Sequence, residues 1–352
     1  KLDILGHDDP TVIKMLGDLT GIDPTTVPLD DQATLSLFSS TDALGVTPER
    51  LNSPVATYGI PEFNTSFVRK MLEDTMPQSF SDLLRISGFS HGTDVWLNNA
   101  QDLIVNKIAP VSQTISTRDD IMLFLIQRGM EESVAFKIME GVRKGRGLKE
   151  DQEAAMHASN IPQWFIDSCK KIKYLFPKAH AVAYVMMAFR IAWFKINQPL
   201  AFYASYFSVR GIDDFDISII QEGEDRVRSA IMDLYAQGNA LSAKDKSKIT
   251  VLEVALELYT RGFKVLPVSL EESSATQFII KDDEKALLPP LIAIDGLGAS
   301  QAEDIVKGRE EKPYSSLEDM KKRGKVGDSM IEKFKCLRIV EQLPELDQIV
   351  LF

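Results

Sequence analysis

The stretch LIAIDGLGASQAEDIVKGRE sets Gly296, Leu297 and Gly298 between an apolar helix end and a second amphipathic segment starting near Ser300. Residue types in that order suit phosphate binding. Glycines let a backbone turn tightly and approach an anion, and the helix that follows offers N–H groups at its positive end. Ala302, Ile305 and Val306 continue the second segment at helical spacing, and Lys307 and Arg309 add charge. The pattern is that of a helix–hairpin–helix, which grips the DNA backbone without reading bases. Downstream, SSLEDMKKRGKVGDSMIEKFK reads as a degenerate second copy with Gly324 and Gly327 at its turn.

The second candidate is FPKAHAVAYVMMAFRIAWFKINQP. Lys178, His180, Tyr184 and Arg190 are polar groups on an otherwise buried-type helix, and Lys178 and His180 follow Pro177 at its expected start. A helix N-terminus with two cationic side chains is a natural anion site. Tyr174, Phe176 and Tyr184 lie among them and can stack a base; Phe189 and Trp193 fit a core better. A third stretch, ISGFSHGTDVW, supplies Ser87, Ser90, His91, Thr93 and Asp94 in what reads as a polar loop between helices. It is no hydrolase site, because adjacent Ser and His make poor triad geometry and no G-x-S-x-G elbow exists. His7, Asp8 and Asp9 lack a second histidine at ligand spacing, which argues against zinc. The segment QIVLF presents Gln348, Ile349, Leu351 and Phe352 like a linear peptide for a partner's pocket, or else a strand tucked into its own core.

The elements that must position these groups are mostly helical. SFVRKMLEDT, RDDIMLFLIQRG, ESVAFKIMEGVRK, QWFIDSCKKIKYLF, AHAVAYVMMAFRIAWFKIN and KITVLEVALELYTRGF repeat apolar residues every three to four positions. Ser116 or Thr117 is the expected N-cap of RDDI. Strand signals are few: KLDIL, with Asp3 between Leu2 and Ile4, then GFKVLPVSL and TQFII. An acidic, glycine-interrupted break places a boundary near Gly211. The fold class expected is mainly α: a strand remnant, a helical body, and a smaller helical module.

Across its 352 residues the chain carries a net charge of −11, which by itself argues against a nucleic-acid partner. The distribution changes that reading, though basic faces of solvated helices fit the charge alone equally well. Lys170, Lys171, Lys173, Lys178, Arg190, Lys195 and Arg210 crowd one region against Asp167, and RKGRGLK forms a second basic knot. Such polarity can hold an anion in a cleft. The most apolar stretch is broken by Arg190 and reads as too short to span a bilayer, so no membrane partner is expected. No export signal is visible, and two distant cysteines, Cys169 and Cys336, fit a reducing cytoplasm.

KLDILGHDDPTVIKML, FSSTDALGVTPE, LLRISGFSHGTDVWLNNAQDLI, CKKIKYLFPKAHAVAYVMMAFRIAWFK and LDQIVLF together resemble the C-terminal portion of the PolC-type replicative DNA polymerase III alpha subunit, a family C polymerase. The resemblance implies that residues 1–20 end the palm, 21–210 form the fingers, and 211–345 bind duplex with the hairpin near 287–310. It implies a sliding-clamp peptide at 346–352, matching at Gln348, Leu351 and Phe352 and departing from the usual pattern at Ile349 and Val350. Asp3 matches the third catalytic carboxylate of the family, a Mg²⁺ ligand. The other two belong to an upstream D-x-D strand absent from this sequence. The expected partners are primer–template DNA, a dNTP, the beta sliding clamp and other replisome subunits. Cations of the fingers would stabilise the pyrophosphate leaving group: Lys178 and His180, with Arg128, Arg143 and Lys144 as further candidates. Ser90 and His91 would line the base or template side, with Tyr184 nearby. The rival reading is a DNA-binding helix–hairpin–helix scaffold without catalysis.

Overall fold

The computed structural model describes residues 7–346, so Asp3, Gln348, Ile349, Leu351 and Phe352 lie outside the described residues. The chain forms two compact units, one of residues 25–196 and one joining residues up to 24 with those from 197 onward. The first helix, α1 (Asp9–Thr20), has proline in its first turn and ends at Gly21 in the left-handed region, as an N-terminal Pro and a C-terminal Gly favour.

The unit of residues 25–196 is built of short, individually capped helices. Asp31 caps α2 (Gln32–Ser36), Thr47 caps α3 (Pro48–Leu51), Thr65 caps α4 (Ser66–Thr75) and Ser79 caps α5 (Phe80–His91). After a kinked turn at Trp96–Ala100 come α6 (Gln101–Val105) and α7 (Arg118–Gln127). Thr117, one of the two residues expected as the cap, closes a capping box with Asp120. Next along the chain are α8 (Glu132–Arg143), α9 (Glu150–Ala158), α10 (Gln163–Lys171) and the long α11 (Lys178–Asn197).

Two expectations need correction here. Ser87, Ser90 and His91 belong to the last turns of α5 rather than to a loop, which begins only at Gly92. The helix expected to reach Phe176 stops at Lys171. Beyond it the chain is extended, with Lys173 N–H donating to Thr93 O and Thr93 N–H to Tyr174 O, both at 3.0 Å. A residue before proline is disfavoured in the helical region, so Pro177 extends this end and starts the next helix.

Among the described residues α11 is the one helix long and apolar enough to cross a membrane. Length therefore does not exclude a span, contrary to the sequence reading; packing is what speaks against it. Its Val185, Ala188, Phe189, Ile191, Ala192 and Phe194 are buried, and Phe189 stacks on Phe38 at 6.2 Å. Lys195 is fully buried too, its Nζ donating to Ala56 O at 2.7 Å and Tyr58 O at 2.6 Å.

The other unit packs α1 with α12 (Pro199–Val209). It continues with α13 (Ile217–Ile220), α14 (Glu224–Tyr235) and α15 (Ala243–Thr260). Composition breaks near Gly211, whereas the compact unit already begins at Asn197, so α12 packs with the elements C-terminal to it. The extended segment expected at 262–270 holds β1 (Lys264–Val265), and that expected at 276–280 overlaps β2 (Ile279–Lys281). Between them in the sheet lies β3 (Ala286–Leu288), parallel to β1 and antiparallel to β2. Last come α16 (Ala299–Glu311), α17 (Leu317–Arg323) and α18 (Asp328–Cys336).

Candidate functional site

Within the unit of residues 25–196, the extended segment 172–177 gathers most of the expected site. Phe176 bridges to Thr117, and its ring lies stacked against His91 with centroids 4.7 Å apart. His180 meets the same ring edge-on at 6.0 Å. Tyr184 follows His180 by one helical turn and is half-buried. Lys178 opens α11; its N–H donates to Asp119 at 3.3 Å, and its Nζ stands 3.9 Å from Asp120. Asp120 accepts from the N–H groups of Ser116 and Thr117 at 3.1 and 2.8 Å, and Arg85 lies 3.5 Å away. That carboxylate anchors the start of α7 beside the start of α11.

The basic knot joins them. Gly145 sits at φ +68°, and a Cβ there would come within 2.6 Å of Lys173 O, so glycine lets the knot lie backbone-to-backbone against the segment. Arg143 binds Glu140 in bidentate fashion at 2.7 and 2.9 Å, and Lys144 reaches the same acid at 2.9 Å. Hydrogen bonds from Arg143, then from Lys144, hold the Glu140 pKa down to about 2. One acid therefore offsets two cations. Arg128 does not join: its guanidinium sits 5.0 Å from the Phe124 ring centre, at the other end of α7 from Thr117. The length of that helix separates those ends by about 15 Å.

Ser90 donates to Ser87 O at 3.0 Å, and His91 Nδ1 lies 2.8 Å from that same carbonyl. His91 Nε2 lies 3.0 Å from Glu62. The Glu62 side chain, then desolvation against it, then Ser87 O set the balance, which raises the His91 pKa. Glu62 escaped the sequence reading because the loop carrying it shows no periodicity. A non-glycine residue at φ +68° is the structural signal.

The tail module supplies a second site. Only a 3₁₀ turn, Leu291–Ala293, precedes the glycine turn, where the sequence suggests a helix end. Pro289 and Pro290 hold the chain extended until that point. Gly296 adopts φ +82°, Leu297 is buried, and Gly298 stands just before α16, leaving the N–H groups of its first turn pointing outward. Ser300 and Lys307 are exposed and seven residues apart, hence on one helix face. Arg309 is not available to a partner: it donates to Leu270 O at 2.7 Å.

The expected second copy is a true helix–turn–helix, α17 and α18 about Gly324 and Gly327. The two hairpins brace each other reciprocally. Gln301 of α16 donates to Lys325 O at 2.8 Å and Asp304 pairs with Lys325 at 2.9 Å. In return, Lys333 of α18 reaches Asp295 O at 2.6 Å and its carboxylate at 2.9 Å. Gly298 and Gly327, at φ −75° and −79°, have nothing within 4 Å of where a Cβ would stand. The fold itself does not demand glycine at either place; close approach of another backbone would.

Two stretches of the chain match known families. Residues 9–161 match the bacterial DNA polymerase III alpha subunit finger domain, and residues 262–342 match a helix-hairpin-helix motif. The class these two stretches resemble is the finger domain of a bacterial DNA polymerase III alpha subunit together with a helix–hairpin–helix motif. All 352 residues align with the DNA polymerase III PolC-type of Thermotoga maritima at 55% identity, covering 26% of that protein. They align at 54% with that of Bacillus subtilis, covering 24%, and at 53% with that of Caldanaerobacter subterraneus, covering 25%. The chain belongs with the PolC-type DNA polymerase III sequences, as a segment spanning about a quarter of their length.

Proposed function

We propose that this segment supplies the nucleotide-binding fingers, the duplex-binding module and one catalytic carboxylate of a template-directed DNA polymerase. The observation that carries the reading is the convergence of Phe176, His91, Lys178, His180, Arg143 and Lys144 on one short extended segment. An aromatic ring with cations around it can hold a base and its phosphates together. Residues 25–196 correspond best to the fingers. Ser90 and His91 serve the base or template side, and Lys178 and His180 the phosphates. Arg143 and Lys144 add to that charge, Arg128 reaches template from farther off, and Tyr184 backs His180.

The hairpins at Gly296–Leu297–Gly298 and Gly324–Gly327 grip the duplex backbone, with Ser300 and Lys307 on the exposed face of α16. The segment with Gln348, Ile349, Leu351 and Phe352 docks on a sliding clamp, within a cytoplasmic replisome. Mg²⁺ suits the reading because hard oxygen ligands favour it. The described acids closest to Asp3 in sequence do not suit it. Asp9 is fully buried with Arg210 at 3.3 Å, and Asp8 lies 4.0 Å from the same guanidinium. The metal reading therefore rests on Asp3 with carboxylates from elsewhere in the full-length polymerase. When bound, two such ions would activate the primer hydroxyl and neutralise the triphosphate.

The test is steady-state kinetics on the full-length polymerase with Lys178→Ala and His180→Ala. Raised KM for dNTP with primer–template affinity retained supports the fingers assignment; unchanged KM in both removes it.

A further inference from the structure

His91 Nδ1 lies 2.8 Å from a backbone carbonyl, Ser87 O, and its Nε2 lies 3.0 Å from the Glu62 carboxylate. A carbonyl oxygen only accepts, so Nδ1 must carry hydrogen. A bare ring nitrogen 3.0 Å from a carboxylate oxygen would set a lone pair against a negative charge, which favours a proton on Nε2 as well. Imidazole is the stronger base of the two, at about 6.5 against about 4.3 in their ordinary states, and takes that proton. Ser90 Oγ, 3.0 Å from Nδ1, already donates to Ser87 O and so offers His91 only an acceptor.

We propose that Glu62 is a positioning residue that holds His91 as an imidazolium, so that the site presents a fixed positive ring stacked on Phe176 rather than a hydrogen-bonding nitrogen. This rests on the nucleotide-site reading for its consequence, though not for the protonation itself. With both ring nitrogens engaged, the charge can act on a nucleotide only through the ring edge and face, from beside an aromatic surface.

The loop that delivers Glu62 is built to hold it. Lys195 fastens Ala56 O and Tyr58 O, and Thr57 Oγ1 donates to Phe63 O at 2.7 Å across the bend. Glu62 itself stays in the left-handed region at φ +68°, a conformation that persists only where surrounding contacts over-determine it. The groups facing the imidazole are Glu62 from this loop, Ser87 and Ser90 from its own helix, and the Phe176 ring, with His180 edge-on to that ring. Glu62 is the charge that acts on it, and it raises the pKa.

The chain has four histidines, so ¹⁵N-histidine labelling resolves the question directly. At pH 7.5 both His91 ring nitrogens, assigned by loss in His91→Gln, should show imidazolium shifts, and Glu62→Gln should convert them to a neutral tautomer. A neutral ring in the parent, or an imidazolium unmoved by Glu62→Gln, overturns the proposal. In the full-length polymerase, Glu62→Gln should raise KM for dNTP several-fold at pH 8 and leave it near the parent value at pH 6, where the ring protonates unaided. A misfolded variant would lose activity at both pH values, which also counts against the proposal. An imidazolium that disappears in Glu62→Gln while KM stays unchanged at both pH values sinks the nucleotide-site reading, and the protonation assignment survives it.

Discussion

A buried lysine and a paired histidine decide how the centre of residues 25–196 is held. Lys195 donates to two carbonyls, Ala56 O and Tyr58 O, in a fully buried setting. Leaving a buried acceptor unpaired costs about 1–3 kcal/mol each. Lys195→Met should therefore lower unfolding free energy by roughly 2–4 kcal/mol, read as a fall in the urea midpoint at unchanged slope. For His91 the folded-state pKa is raised. Its pairing with Glu62 is accordingly fully present below the ordinary histidine value, near about 6.5, and is lost as pH rises through the folded-state value. The stability gap between the parent and Glu62→Gln should narrow from pH 6 to pH 9 in denaturant titrations; a gap that widens contradicts the pair.

At the scale of elements, small residues set how closely helices approach. Gly308 lies inside α16, where glycine normally costs about 0.5–1 kcal/mol against alanine. Here an added Cβ would collide with the Tyr314 hydroxyl, which donates to Ile305 O at 2.9 Å. Gly308→Ala should thus destabilise despite better helix propensity, by about 1–3 kcal/mol, and Tyr314→Phe in the same chain should recover part of the loss. Gly298 behaves differently, because nothing crowds it and its φ is ordinary. Gly298→Val should cost only about 1 kcal/mol, as a poorer N-cap of α16, while weakening duplex binding by a similar factor on unrelated sequences. Sequence-dependent loss would argue against a backbone grip.

Helices with a clear stripe and cap were legible beforehand: SFVRKMLEDT is α4 to the residue, and Thr117 caps α7 as expected. Glycine spacing revealed the hairpins. The features that stayed hidden depend on tertiary pairing. The end of α10 at Lys171 is fixed by Thr93, far away in chain order, and β3 is only three residues long. Arg128, Arg143 and Lys178 look alike as cations in sequence. Only the structure separates the one stacked on Phe124 from those gathered near Phe176.

For the whole molecule, a net charge of −11 coexists with cations clustered in sequence at Arg143, Lys144 and Lys178, residues expected to meet phosphate. Binding to duplex through the hairpins should weaken steeply with salt, since each neutralised phosphate releases a counterion. Removing Gln348, Ile349, Leu351 and Phe352 from the full-length polymerase should abolish retention on an immobilised clamp and leave DNA affinity unchanged; full retention would retire the peptide assignment. We infer that this segment completes a catalytic centre through Asp3. The most direct measurement is primer extension by the full-length polymerase carrying Asp3→Asn, alongside its affinity for primer–template. Extension should vanish with affinity intact, whereas synthesis at the parent rate would contradict the account.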